Sequence, residues 1–243
     1  MTRVPSQRRD NAMLSALPAA EWQRWEPLIE AVELRAGQVL CEPGRAPEHV
    51  YFPATAIVSL LHMMEDGGSV EVAAVGREGL VGYSVFMGGN STASQAVVQS
   101  AGRALRLPAR AVKASFEAGG PVTMLLLRYT QALIAEIGQT AACNRHHSLG
   151  RQLCRCLLHN LDRAPGNQLV MTHELIARLL GVRREGVSER AIKLQQAGLI
   201  RYARGHISVL DRPGLEARSC ECYGVIRGEY KRLLPQVPQL SLA

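Results

Sequence analysis

The stretch from Thr172 to Val209 constrains this 243-residue chain more tightly than any other. Thr172 is placed to cap a helix, and Glu174 in its first turn suits the positive end of the dipole. Leu175, Ile176, Leu179 and Leu180 recur at i, i+1, i+4 and i+5, which gives one apolar helical face. Gly181 follows directly, where a tight turn needs it. A second helix starts near Arg183, and Val187, Ala191 and Leu194 form its inward face. Arg184, Glu185, Ser188 and Glu189 fall on another face, free to meet a partner. Gly198 ends that helix. Two β-favouring runs, Leu199 to Tyr202 and His206 to Leu210, flank Ala203-Arg204-Gly205, a hairpin signal.

Helix, glycine turn, helix and hairpin make a winged helix-turn-helix. Ala177, Gly181 and Val187 stand at the offsets that let two helices cross closely while the second enters a major groove. The competing reading is a helical hairpin inside some other core. Charge placement favours the first. Residues 1–142 hold 12 Lys/Arg against 13 Asp/Glu, whereas residues 143–243 hold 16 against 8. A near-neutral half joined to a basic half that carries the helix-turn-helix is the footprint of a phosphate-binding domain.

The run Val182-Arg-Arg-Glu-Gly-Val-Ser-Glu-Arg resembles the recognition-helix motif of the Crp/Fnr family of bacterial transcription regulators. The resemblance spans roughly residues 30–212. It implies an N-terminal cyclic-nucleotide-binding-type barrel, a long dimerisation helix and a C-terminal winged helix. It also implies base reading by Arg184 and Glu185, an Arg for guanine and a Glu for a cytosine amine. Ser188 and Glu189 complete the expected base-reading set. The family's prototype has a second base-reading Arg where this chain has Glu189, so the preferred half-site should differ. Arg190 stands where such motifs usually place an apolar residue. Phosphate contacts are expected from Thr172, His173, Arg183, Arg204 and His206.

The rest of the chain fits an α+β reading. Met1 to Asn11 is polar and basic with no apolar segment behind it, so residues 1–19 are expected to form a mobile arm rather than a secretory signal. Ala20 to Ala31 reads as a short helix. Residues 20–120 otherwise suggest an antiparallel β jelly-roll barrel. Candidate strands are Val50 to Phe52, Ile57 to Met63, Val70 to Val75, Ala96 to Gln99 and Ala104 to Leu107, with Glu65-Asp66-Gly67-Gly68 joining two as a hairpin. Pro108 to Glu117 reads as a helix.

From Val122 to about His146 the pattern is helical, within a unit spanning 121–147. Leu126, Thr130, Leu133, Ile137, Thr140 and Asn144 form a heptad-like seam, which the resemblance assigns to a parallel homodimer; the competing reading packs the helix on its own barrel over part of its circumference. His147-Ser148 should cap the next helix, Leu149 to Leu161. The DNA-binding domain is expected over 148–213. A C-terminal helical extension over 214–243 follows, with a helix from Leu215 to Leu234 broken at Gly224 and Gly228 and a loose tail from Pro235.

The segment Gly76-Arg-Glu-Gly-Leu-Val-Gly-Tyr-Ser-Val-Phe aligns with the family's phosphate-binding cassette. The ribose-holding Glu is replaced by Tyr83, and the phosphate-neutralising Arg falls in Ala93-Ser94-Gln95, which holds no cation. The purine-contacting positions fall near Glu136 and Ile137. Burying a phosphate anion without either partner is unfavourable, so cyclic AMP is not the expected ligand. Tyr83, Gln95 and Arg128 are the candidate pocket residues for an unknown small-molecule effector.

Six cysteines stand at 41, 143, 154, 156, 220 and 222. No Cys-x-x-Cys pair exists, and only Cys41 precedes residue 143, so the N-terminal iron–sulfur cluster of some relatives does not fit. Cys143 with His146 and His147, and the pairs Cys154-x-Cys156 and Cys220-x-Cys222, suggest metal or redox sensing as one reading; cysteines two apart on a helix point to different faces, so buried thiols are the expected one, with no metal and no cofactor. A cupin-like metal-dependent enzyme is the alternative, but the barrel region offers only His49 and His62, and no P-loop or Gly-x-Ser-x-Gly motif occurs. An RNA-binding module would want stacking aromatics, which make up only 5% of the chain. The expected partners are double-stranded DNA, a second copy of the chain, RNA polymerase and the effector. No membrane partner is expected, and the location is expected to be cytoplasmic.

Overall fold

The computed structural model describes residues 7–164 and 166–234. A first helix, α1 (Ala12–Ser15), is capped by Asn11, whose Oδ1 accepts from the Met13 and Leu14 amides. The other end of the same side chain donates to the Pro53 and Gly79 carbonyls, both at 2.9 Å. Met13, Leu14 and Leu17 lie in the barrel core. Residues 11–17 are therefore docked, not the free arm expected over 1–19. The short apolar run Ala12–Leu14 is what buries them. Met1 to Ser6, the start of that arm, lies outside the described residues.

Helix α2 (Ala19–Trp25) is shorter than expected. A 3-10 turn over Glu26–Leu28 follows it, and the chain then enters β1 (Glu30–Leu34). Next come β2 (Val39–Cys41), β3 (His49–Pro53), β4 (Ile57–Met63), β5 (Ser69–Val75), β6 (Gln95–Ser100) and β7 (Gly102–Pro108). They form two antiparallel sheets, ordered β1-β7-β3 and β2-β6-β4-β5. Inward side chains such as Phe52, Val58, Leu60, Val98 and Leu105 fill the space between them. The β4–β5 hairpin closes through the Asp66-Gly67 turn as the sequence suggests.

Helix α3 (Ala109–Glu117) leads to α4 (Pro121–His146), 26 residues long. Tyr129 of α4 is fully buried and donates to the Leu80 carbonyl at 2.7 Å. A Cβ on Gly79 would stand 2.5 Å from that ring, so only glycine admits the close approach. Leu126, Thr130, Leu133 and Thr140 are buried within this one chain, and Ile137 and Asn144 are half-buried. The heptad seam expected at a dimer interface is thus mainly the face that packs on the chain's own barrel and on the C-terminal helix. A long amphipathic helix with two apolar stripes offers two such seams, and the more apolar one is intramolecular. The outward stripe carries Met124, Leu127 and Ile134, which are 52, 43 and 61% exposed.

Helix α5 (Leu149–Arg163) begins after Ser148. Ser148 occupies the N-cap position but makes no capping bond. Gln152 instead donates to the carbonyls of Cys143, Asn144 and His147, satisfying the end of α4. Strand β8 (Gln168–Val170), helices α6 (His173–Leu180) and α7 (Arg184–Gln196), and strands β9 (Ile200–Ala203) and β10 (His206–Val209) complete the winged helix, with sheet order β8-β10-β9. A second core, including Leu157, Ile176, Val187, Ala191 and Ile207, holds it together.

The extension differs from the single helix expected. Helix α8 (Arg212–Arg218) and helix α9 (Cys222–Leu233) are separated by a turn over residues 219–221, and α9 runs unbroken through Gly224 and Gly228. Leu233 and Leu234 enter the barrel core, and Tyr230 donates to Glu136 of α4 at 2.7 Å. The tail from Pro235 lies outside the described residues.

All six thiols are buried, as expected. Cys41 belongs to the barrel core, and Cys154 and Cys156 to the winged-helix core. Cys143, Cys220 and Cys222 form a third, separate cluster. Cys220 lies in the α8–α9 turn and not on the helix that carries Cys222, so the two thiols do not diverge onto different faces.

Candidate nucleic-acid interface

The turn between α6 and α7 is built as the sequence requires. Thr172 Oγ1 accepts from the Leu175 amide at 3.1 Å, and Gly181 takes a left-handed conformation at φ 64°. The α7 helix then projects Arg183, Arg184, Glu185 and Glu189 into solvent. Gly186 faces the other way. A Cβ there would stand 2.9 Å from Leu149 Cδ2, so the small residue in the motif lets α7 sit against α5. The stem of Arg190 passes near Gly150, which accounts for a basic residue where an apolar one is usual.

His173 joins three elements. Its Nδ1 lies 2.9 Å from Ser188 Oγ on α7, and its ring stacks on Tyr202 of β9 with centroids 4.0 Å apart. Burial, followed by the charge of Arg184, lowers its pKa below the usual imidazole value. His173 thus braces α6 against α7 and β9. Tyr202 is the residue the sequence reading missed, and its aromatic ring in a wing strand was the available signal.

The wing tip is a tight turn with Arg204 at φ 48° and Gly205 at φ 81°. Gly205 accepts from the Met171 amide, and a Cβ on it would stand 3.3 Å from Thr172. Thr172, His173, Ser188 and the wing thus form one continuous surface, flanked by exposed Arg183, Arg184, Arg204 and His206. Glu189 is bonded to Lys193 at 2.7 Å and stands 3.8 Å from Arg190, so its carboxylate is already partnered and its pKa is lowered.

The reading head is tied to the barrel. Gly181 abuts Val70 of β5, and the cleft between the units is lined by Glu71, Glu136, Arg155, His159 and Asn160. Arg163 of α5 bonds Glu78 at 2.7 Å and Glu136 at 3.3 Å. Burial opposes its charge, but Glu78 and Glu136 outweigh that and hold its pKa well above the ordinary value. Burial pushes Glu71 up to about 7 despite the bond from Ser59. The expected effector residues are engaged elsewhere. Tyr83 bonds Thr92, Gln95 bonds Glu42, and Arg128 is exposed on α4. None of the three lines the inter-domain cleft. The position near which the purine would be read, Glu136, is filled by an internal ion pair.

A jelly-roll barrel joined through a long helix to a winged helix with a free, basic recognition face defines a two-domain DNA-binding transcription regulator. The profile of the cyclic nucleotide-binding domain matches residues 31–118, and that of the Crp-like helix-turn-helix domain matches residues 151–218. Together they take in more than half of the chain, which belongs to the Crp/Fnr family of transcription regulators. Members of this family are DNA-binding factors and not enzymes.

FixK2 from Bradyrhizobium japonicum has a similar structure, with a TM-score of 0.68 at 17% identity over 79% of this chain and 98% of that one. A Crp/Fnr-family regulator from Eubacterium rectale gives 0.67 at 17% identity over 86% and 98%. The c-di-GMP-responsive global regulator CLP from Xanthomonas campestris gives 0.63 at 16% over 80% and 100%. No curated protein matches the sequence. No helix among the described residues is long and apolar enough to cross a membrane.

Proposed function

We propose that the chain works as a homodimer that reads a near-palindromic operator in the cytoplasm and acts on RNA polymerase. The observation that carries the reading is the exposed Arg183-Arg184-Glu185 run at the start of α7, set in the basic half of the chain. Arg184 pairs with a guanine and Glu185 accepts from a cytosine amine, with Ser188 and Glu189 beside them. Arg183, Thr172, Arg204 and His206 hold phosphates. The seam is the outward stripe of α4. Met124, Leu127, Gln131, Ile134, Gly138 and Ala141 are all exposed and spaced 3-4-3-4-3, the period of a two-stranded coil. Such pairing sets two recognition helices about 34 Å apart, one DNA turn.

The barrel responds to a signal other than cyclic AMP or serves as a scaffold. Neither a ribose-holding carboxylate nor a phosphate-neutralising guanidinium stands at the cassette positions, and the purine position holds Glu136 paired with Arg163. A signal would act at the contact of α5 and α6 with the barrel, changing the separation of the two reading heads. The test is selection from a pool of random duplex DNA by the purified protein. A two-fold-symmetric enriched motif is expected, and enrichment of no motif, with or without cell extract, would contradict the reading.

A further inference from the structure

Four side chains that the DNA-binding reading does not use converge at the junction of α4, α5 and the C-terminal extension. Cys143 comes from the last turns of α4, His147 from its C-cap, Cys220 from the α8–α9 turn, and Cys222 from the first position of α9. The three sulfurs and one ring nitrogen all lie within 4.8 Å of one another. Cys143 Sγ is 3.5 Å from Cys220 Sγ, and Cys222 Sγ is 3.4 Å from His147 Nδ1. A tetrahedral zinc ion with its usual bond lengths sets sulfurs about 3.8 Å apart and a sulfur and a nitrogen about 3.5 Å apart. Both spacings are close to those of ligands around a single ion.

The surroundings are those of a ligand set. The three cysteines are 0, 4 and 0% exposed and belong to neither hydrophobic core, so packing alone does not explain why they meet. His147 directs Nδ1 at the cluster while its Nε2 lies 3.2 Å from the Glu221 carboxylate. A carboxylate on the far nitrogen is the outer partner that fixes a ligating imidazole. Gln139 donates to Cys222 Sγ at 3.1 Å, as an amide does to a metal-bound thiolate. A disulfide is a poorer account. It would join two sulfurs at about 2.05 Å and leave the third thiol and the oriented histidine without a role. An iron–sulfur cluster, with several metals between its thiolates, would need them farther apart than they stand.

We propose that Cys143, His147, Cys220 and Cys222 bind one Zn2+ per chain in a closed Cys3His site. Each thiol gives up its proton as it binds, and no electron is transferred. The ion clips the C-terminal end of α4 to the C-terminal extension, directly before α5 begins, and so fixes the angle at which the reading head leaves α4. The site stands on its own geometry and does not depend on the DNA-binding reading.

The test uses the full chain, purified under reducing conditions and analysed for metal, then stripped with a chelator and titrated with Co2+ followed by Zn2+. One equivalent of zinc per chain is expected. Cobalt should give the visible bands of a tetrahedral thiolate site, and zinc should abolish them. Cys220→Ser and Cys222→Ser should each weaken zinc binding at least about 100-fold, and Cys41→Ser should leave it unchanged. Glu221 is exposed, so Glu221→Gln keeps the fold by circular dichroism and should weaken binding about 10-fold or more. The proposal is overturned if the reduced, folded chain gives no tetrahedral cobalt bands. It is also overturned if Cys220→Ser and Cys222→Ser retain wild-type zinc affinity, or if a Cys143–Cys220 disulfide forms in a chain that binds no zinc once reduced.

Discussion

At the junction of barrel and winged helix, burial raises the Glu71 carboxyl, whereas two carboxylates outweigh burial at Arg163. Glu71 carries a pKa of about 7 in the folded chain against 4.5 when free, so the native state holds the extra proton between those values. Its contribution to stability is complete below about pH 4.5 and is lost as the pH rises through 7. The ceiling is roughly 3 kcal/mol from a shift of this size. Urea unfolding at both ends of that window should show Glu71→Gln gaining on the wild type as the pH rises, and parallel curves would refute the assignment. Arg163 is the opposite case, a buried cation with two carboxylates. Arg163→Ala removes the cation that Glu78 and Glu136 share and should cost about 3–5 kcal/mol in the same assay. At the wing, Arg204→Ala should weaken DNA binding about equally on all sequences and reduce the salt dependence by about one phosphate contact.

Helix α4 shows how an element can be legible while its orientation is not. Its length and ends follow from the Pro121 start and the unbroken helical pattern, but period alone could not choose between its two stripes. Leu126 and Leu133 go inward because the barrel and α9 cover them, and α9 itself was expected only as a broken helix. Substituting the two faces separates their roles. Ile134→Glu should leave the fold intact and convert a dimer to monomers by light scattering. Leu133→Ala should cost about 2–5 kcal/mol of stability in unfolding while leaving the oligomeric state alone. Helices α6 and α7 and the wing were legible almost to the residue, because cap, glycine turn and hairpin chemistry are local. Strands β1, β2 and β8 were missed, being short or strongly exposed and defined by partners distant in sequence. The cysteine cluster was hidden for the same reason, since 77 residues separate Cys143 from Cys220.

Across the whole molecule, barrel, long helix and reading head form one connected body. Val70 touches the helix-turn-helix at Gly181, and Arg163 pins α5 to both the barrel loop and α4. The C-terminal extension runs back along α4 into the barrel core, so the DNA-binding domain is held from two sides. Helix α5 packs in turn on α7, whose Arg183, Arg184 and Glu185 are exposed. The most direct test of this account is the affinity of the purified protein for its selected duplex and for a scrambled one, measured by fluorescence anisotropy for the wild type and Arg184→Ala. Losing one bidentate base contact costs about 1–3 kcal/mol of discrimination. Arg184→Ala should therefore bind the selected duplex roughly 5- to 150-fold more weakly while binding the scrambled one nearly as the wild type does. Wild-type discrimination in Arg184→Ala, or none in the wild type, would contradict the assignment of α7 as the element that reads DNA.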